Sequence, residues 1–286
     1  MAASQATIEL VREFTTLRLF SAISFTGVVY EHLLTFNTEL ETIWCNPNTR
    51  WLSKLFFVIN RYLTEAILIF IGYLFSESAT TLNDAVCLQF IWLYGIGCVV
   101  FQATSHFILV IRIYRLWDRR NDVARNLTIM FGFFMAAMIV VGVFIVRDLK
   151  PIYNALLHTC LLSNKPIAMQ ALYGVTCAFD LAMVIFIIFN AMDRPRLTNV
   201  QMASDLHKDG MGIFMVLFVI RLTNFMVAIF FDISILFIST TTAWALSTII
   251  NSRFQMRLEA LAFARAAAEQ RHIVVLDHLP ECDYEY

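Results

Sequence analysis

Charged residues are scarce in this chain of 286 residues, at 15% against about a quarter in ordinary soluble domains. Glycine and proline are scarce as well, with nine and five copies. The first shortage excludes an ordinary soluble domain. The second argues against a transporter built on broken helices, because such helices are rich in glycine and proline.

The motifs of soluble catalysis are also missing. We find no phosphate-binding loop, no dinucleotide fingerprint and no cysteine or histidine cluster with zinc spacing. A seven-helix metal hydrolase would need several histidines converging with an acid on zinc, and only His106 lies deep in an apolar run. We therefore expect no enzymatic activity, no metal, no cofactor and no nucleic-acid partner.

What the chain has instead is apolar sequence, with 59% hydrophobic residues gathered into long runs. About 20 apolar residues in a helix cross the roughly 30 Å of membrane hydrocarbon, and the runs lack the alternation of barrel strands. The sequence predicts an all-α polytopic membrane protein, with a seven transmembrane helix bundle over 1–252 and a tail over 253–286. The predicted spans are 17–36, 55–75, 88–113, 127–146, 168–192, 211–231 and 233–250.

The last two spans are predicted from one nearly unbroken stretch, 211–250. Two spans require a very tight turn near Asp232. The alternative is one long tilted helix followed by a re-entrant segment.

The basic residues predict the orientation, because lysine and arginine accumulate on the cytosolic side of a span. With the N-terminus outside, 14 of the 21 fall on the inner side, five on the outer side and two, Arg61 and Arg221, inside spans. We predict an outside N-terminus and a cytosolic C-terminus, in the plasma membrane rather than an internal one. From 253 to 271 the tail is expected to form an amphipathic helix on the membrane surface.

Two cysteines, Cys87 and Cys160, would both face the outer, oxidising side in this topology. A disulfide between them would attach the longest outer loop to span 3. The alternative is a pair of free thiols. Cys98 and Cys177 fall inside spans, where cysteine usually packs as a small apolar residue.

Four charged or titratable residues lie near the middle of predicted spans: Glu65, His106, Asp180 and Arg221. A charge at a helix centre costs roughly 2.5–3.5 kcal/mol on insertion scales, so such residues face the bundle interior and find partners. Arg221 has two acidic candidates, Asp180 and Glu65. The group is either an ion-pair network that sets helix packing or a site that binds a polar ligand or ion.

A basic, aromatic segment ends span 3, and it would stop the helix at the inner interface and contact anionic lipid. A more specific interpretation is a docking surface for a cytosolic signalling partner. The residues concerned are Arg112, Tyr114, Arg115, Arg119 and Arg120.

The segments 30–36 (YEHLLTF), 39–44 (ELETIW) and 54–62 (KLFFVINRY), with Trp51 between the last two, form a recognisable signature over about 28–62. It resembles domain of unknown function 6533, a group of multi-pass membrane proteins of mushroom-forming (basidiomycete) fungi. The resemblance implies a membrane architecture and a fungal source, and no mechanism. By residue type, the acids Glu31, Glu39 and Glu41 would pair with nearby basic residues and hold spans 1 and 2 together.

Two functional classes follow. The first is a seven-helix receptor-like protein with a sensory or signalling role, suggested by the span count, the orientation, the cysteine pair and the basic end of span 3. The second is a small-solute or ion transporter that uses the intramembrane charges. Architecture alone does not imply function, and the usual receptor motifs, Asp-Arg-Tyr after span 3 and Asn-Pro-x-x-Tyr in span 7, are missing.

Overall fold

The structure is a computed structural model. It describes residues 2–46, 49–75, 83–116, 121–149, 151–154, 159–162, 165–193 and 201–277. Within these ranges, seven helices are long and apolar enough to cross a membrane: Val11–Trp44, Trp51–Leu74, Asp84–Ile111, Asn121–Asp148, Ile167–Phe189, Gly212–Phe230 and Ile233–Ala264. The prediction of an all-α, seven-span, multi-pass membrane protein is confirmed, whereas the orientation stays a prediction.

The first two spans both contain a π-helical turn. Helix α1 (Ala2–Glu39) ends in the π turn Leu40–Trp44, and span 2 consists of α2 (Trp51–Val58), the π turn Ile59–Leu63 and α3 (Thr64–Leu74). A π turn inserts an extra residue into a helix, and such turns are frequent at functional sites. Here the second turn carries Arg61 into the interior of the bundle.

The remaining helices follow one another around a ring. They are α4 (Asp84–Leu116), α5 (Asn121–Asp148), α6 (Ile167–Asp193), α7 (Gln201–Phe230) and α8 (Ile233–Asp277). Each packs against the next, and α8 packs against α1 and closes the ring. Spans 1 to 7 are therefore neighbours in chain order, and span 7 meets spans 1 and 2.

The stretch 211–250 does contain two spans. Helix α7 ends at Phe230 and α8 begins at Ile233, so the turn consists of Phe231 and Asp232. The Asp232 carbonyl accepts a hydrogen bond from Leu236 N at 3.0 Å, and Lys165 Nζ donates to the Phe231 carbonyl at 2.5 Å. The single long helix with a re-entrant segment is not what forms.

The tail is helical as far as Asp277, and this helix is a continuation of span 7. Helix α8 runs through the expected domain boundary at 252 without a break. Phe254 and Met256 are buried, at 5% and 3% exposure, so the first turn of the tail packs against the bundle. This packing explains why the tail does not begin with a separate surface helix. A helix lying on the membrane surface would have to bend away from the bundle after residue 252, whereas α8 continues without a break and packs against the bundle.

The loop between spans 4 and 5 contains a short antiparallel hairpin that the sequence pattern does not predict. Strand β1 (Pro151–Asn154) pairs with β2 (Thr159–Leu162), with Tyr153 opposite Cys160. Tyr153 N donates to Asp84 Oδ1 at 2.8 Å, and the Cys87–Cys160 disulfide joins β2 to α4. The hairpin is thereby fixed to the N-terminal end of span 3.

Large apolar side chains cover the outside of the bundle and polar ones lie within it. Phe133 is 79% exposed, whereas Asn60, Ser105 and Thr241 are fully buried. This arrangement suits a protein whose solvent is lipid, because the exposed surface is apolar and the polar groups find partners between the helices.

Candidate functional site: two buried polar clusters

Polar side chains from four helices meet near the middle of the bundle in what we call the central cluster. Its members are all buried, with exposures of at most 5%, and come from α4, α6, α7 and α8. They are Ser105, His106, Asp180, Arg221 and Asn251.

The guanidinium of Arg221 organises the central cluster. Its Nη1 donates to Asp180 Oδ1 at 2.6 Å, and its Nη2 donates to Ser105 Oγ at 2.6 Å. Asn251 Nδ2 donates to the same Ser105 oxygen at 3.2 Å. Charge-assisted hydrogen bonds of this kind are the strong ones, so one arginine links spans 3, 5 and 6 and, through Ser105, span 7.

His106 has two alternative partners. Its Nδ1 lies 2.7 Å from the Gln102 carbonyl, which can only accept, so Nδ1 carries a proton. Its Nε2 lies 3.2 Å from both Asp180 Oδ1 and Arg221 Nη1. A neutral His106 accepts from Arg221, and a protonated one donates to Asp180. The ring packs against Phe134 and Phe179.

Some acceptors of this region are unused within the part of the chain that the structure describes. Asp180 Oδ2, Asn251 Oδ1 and Gln102 Oε1 are buried and make no hydrogen bond there. A buried acceptor without a donor costs about 1–3 kcal/mol. These oxygens can therefore accept hydrogen bonds from further donors, such as water or a protonated Asp180.

A second group, the inner cluster, joins spans 1 and 2 at the π turns. It contains His32, Glu39, Arg61, Tyr62 and Glu65. The Glu39 carboxylate is fully buried, and its Oε1 accepts from Tyr62 Oη at 2.6 Å and from Trp44 Nε1 at 2.8 Å. Its Oε2 lies 3.3 Å from Arg61 Nε. Burial of this carboxylate is tolerated because two neutral donors and one cation surround it.

Arg61 also reaches back to span 1. Its Nη2 donates to Thr35 Oγ1 at 2.8 Å and to the His32 carbonyl at 3.2 Å. His32 Nδ1 lies 2.6 Å from Glu65 Oε1, and Arg61 Nε lies 3.9 Å from the same oxygen. Glu65 therefore belongs to the inner cluster, and of the two predicted acidic candidates it is Asp180 that pairs with Arg221.

Most of the inner cluster lies in the part of the chain that matches a family model. Residues 19–64 match the model of a Family of unknown function (DUF6533). The resemblance stated above is thus confirmed for this segment. No curated protein matches the chain. The DUF6533 segment contains four of the five inner-cluster residues, and Glu65 follows its last residue directly.

Further contacts attach the DUF6533 segment to span 7. Arg253 forms an ion pair with Glu31, in which Nη2 donates to Oε2 at 2.8 Å. Asn60 Nδ2 donates to Ser252 Oγ at 3.3 Å. At the last residue of this segment, Thr248 Oγ1 donates to Thr64 Oγ1 at 3.2 Å. Spans 1, 2 and 7 form one polar-linked unit, in which Glu31 pairs with α8 rather than with a basic residue of span 2.

Sequence reasoning missed the residues of α8 that take part. The available signal was a stripe of small polar residues at helical spacing, which is the pattern expected for a helix whose polar face points into a membrane bundle. The stripe is buried and comprises Thr240, Thr241, Ser247, Thr248, Asn251, Ser252 and Gln255.

The two cysteines proposed to pair do so in the structure. Cys87 on α4 and Cys160 on β2 form a disulfide with Cα atoms 5.5 Å apart. Cys98 is buried as a free thiol and Cys177 is partly buried. Among the described residues, no group of three or more His, Cys, Asp or Glu side chains could hold a metal ion.

The basic end of span 3 is only partly described. Arg119 and Arg120 lie outside the described residues, as do the side chains of Arg112 and Arg115. Tyr114 is described and is partly buried against the cluster of apolar side chains between spans 3, 4 and 5. The proposed contact with lipid or a cytosolic partner therefore stays a prediction.

Proposed function

We propose that this protein is a non-enzymatic, seven-helix receptor-like protein with a sensory or signalling role. One observation carries the proposal. Adjacent residues of α8 hold the two buried clusters, because Asn251 donates to Ser105 of the central cluster and Ser252 accepts from Asn60 beside the inner cluster.

This arrangement supports two packed units with α8 in common. Spans 1, 2 and 7 are linked on one side, and spans 3, 5 and 6 are linked through Arg221 on the other. Helix α8 then continues beyond the bundle to Asp277. A receptor needs an element with two discrete arrangements that a ligand can bias. The alternative partners of His106 supply such a choice at the point where the units meet.

The cellular setting belongs to the same proposal. We place the N-terminus and the disulfide outside the cell and α8 in the cytosol, in the plasma membrane, where the basic end of span 3 would contact a signalling partner. The charge distribution supports this orientation, and so does the disulfide, because such bonds persist on the oxidising side of a membrane.

The test is a distance measurement between spin labels at the inner ends of the two units. We place them at Leu52→Cys on α2, in the unit of spans 1, 2 and 7, and at Met215→Cys on α7, in the unit of spans 3, 5 and 6. Both positions are exposed, and the free cysteines are replaced by alanine. Asp180→Asn removes the charge that holds Arg221 to span 5. We expect a second distance population in this variant, and no change in the control Asp232→Asn, since Asp232 is exposed at the outer turn.

Identical distance distributions in all three proteins would contradict a two-unit receptor. A flux assay in reconstituted vesicles distinguishes the receptor from the alternative, a transporter. Proton or solute flux that the unmodified protein supports and Asp180→Asn or Arg221→Gln abolishes would replace the receptor with a transporter.

A further inference from the structure

A cavity of about 300 Å³ lies between α4, α5, α6 and α8, in the half of the bundle that carries the disulfide. Its wall includes Phe90 and Ile91, one turn after Cys87, and Leu149 just before the hairpin. The volume is at the lower end of the roughly 300–1,000 Å³ typical of pockets for small ligands. Almost all of the wall is apolar, so the few hydroxyl groups in it stand out.

Two of those hydroxyls already bond to each other. Tyr173 Oη and Thr240 Oγ1 are 2.5 Å apart, and Thr240 Oγ1 donates to the Leu236 carbonyl at 2.8 Å. The single threonine proton is therefore used, so Tyr173 must donate to Thr240. The Tyr173 oxygen keeps its lone pairs and can only accept from a further partner.

The third hydroxyl, Tyr94 Oη, is different. It is buried and makes no hydrogen bond of normal geometry among the described residues, although Thr240 lies near enough to interact with it. Its ring is held in place by stacking on Phe237 and Trp244, with centroid distances of 5.1 Å and 5.0 Å. A buried hydroxyl without a partner costs about 1–3 kcal/mol. A ligand that bonds to Tyr94 would recover that cost.

The cavity opens toward lipid between α4 and α5. Trp92, Ile96, Ile139 and Val143 line it and are also about half exposed on the outside of the bundle. A molecule that enters by this route must dissolve in hydrocarbon, which excludes charged ligands.

We propose that this cavity binds a small, uncharged, mostly apolar alcohol. The apolar part fills the space between α4, α5 and α8, and the hydroxyl bonds to Tyr94, which can both donate and accept. Tyr173 offers a second acceptor for the alcohol proton. The inference names the ligand class of the receptor proposed above and rests on that proposal only for the consequence of binding.

The test is photo-crosslinking in lipid nanodiscs with decanol that carries a diazirine, followed by mass spectrometry of the labelled peptides. We expect label on the cavity walls of α4 and α5. Unlabelled decanol should compete more strongly than decane, which has the same chain and no hydroxyl. The loss of one hydrogen bond predicts a difference of about three- to tenfold.

Tyr94→Phe is the decisive variant, because it removes one oxygen and keeps the stacked ring. We expect it to abolish the preference for decanol over decane while the melting temperature stays the same or rises. Tyr30→Phe, at a tyrosine 63% exposed on span 1, is the matched control and should keep the preference.

Equal competition by decanol and decane, unaffected by Tyr94→Phe, would overturn the proposal and leave a groove for lipid tails. Label outside the cavity walls would overturn it as well. This experiment measures occupancy, whereas the spin labels measure the inner ends, so failure of the ligand site and failure of the receptor proposal are distinguishable.

Discussion

The inner and central clusters differ in which spans they join and in how their charges balance. In the inner cluster, two carboxylates, Glu39 and Glu65, face one guanidinium, Arg61, with His32 beside them. In the central cluster, one carboxylate faces one guanidinium, at 2.6 Å. Arg61 therefore has more negative charge to neutralise than Arg221 has.

The clusters also differ in access. His32 and Glu65 side chains keep 17% and 15% exposure, whereas His106 is fully buried. The charges of the central cluster are therefore enclosed by protein more completely than those of the inner cluster. The comparison suggests that the inner cluster fixes spans 1, 2 and 7 through many contacts, whereas the central cluster depends on a single ion pair.

The largest effect is expected for Arg61→Met. The variant leaves Glu39 fully buried without its cation, and removing one partner of a buried ion pair costs about 3–5 kcal/mol. The measurement is the free energy of unfolding in mixed detergent micelles.

Arg125→Met is its control, because the Arg125–Asp122 pair is mostly exposed and such pairs contribute about 0–1 kcal/mol. Equal losses in the two variants would show that the inner cluster does not hold spans 1 and 2 together.

Asp180→Leu should cost nearly as much, about 3–5 kcal/mol, because Arg221 is left buried without its counter-ion. Replacing both residues, as Asp180→Leu with Arg221→Met, should recover a large part of the loss. A double-mutant cycle on the free energy of unfolding measures the coupling. Simple additivity would mean that the pair is not the main link between spans 5 and 6.

Much of this architecture follows from the sequence. The lengths of the apolar runs predict the seven spans, and the excess of apolar residues over 211–250 requires the turn at Asp232. Arg221 also needs an acid within the membrane, which limits its partners to two. Counting residues along a helix gives the depth of each side chain in the membrane, and these inferences need only that depth.

The partner choices depend instead on rotation about each helix axis, which depth does not fix. Glu65 and Asp180 are both near mid-span by count, but the π turn at Ile59–Leu63 adds a residue and sets Arg61 and Glu65 toward span 1. The Glu31–Arg253 pair joins residues 222 apart in the chain, and no local pattern indicates it. The hairpin is formed by two four-residue strands, too short for a clear alternation.

The half of the bundle that carries the hairpin is held by a covalent bond, and the loss of this bond should have the smallest effect of the three. The Cys87–Cys160 disulfide closes a loop of 73 residues, for which the expected contribution is about 2–4 kcal/mol. Cys87→Ala should lower the free energy of unfolding by this amount and free Cys160 for alkylation, which mass spectrometry without reduction detects.

Cys98→Ala, at a buried free thiol, is the control for simple loss of a cysteine side chain. If both cysteines of the protein without substitutions react with the alkylating reagent, the disulfide is absent and the hairpin is not attached to span 3. The bond matters for the comparison because it fixes the hairpin to span 3 without the help of either buried cluster, so the stability that it adds is independent of both ion-pair groups.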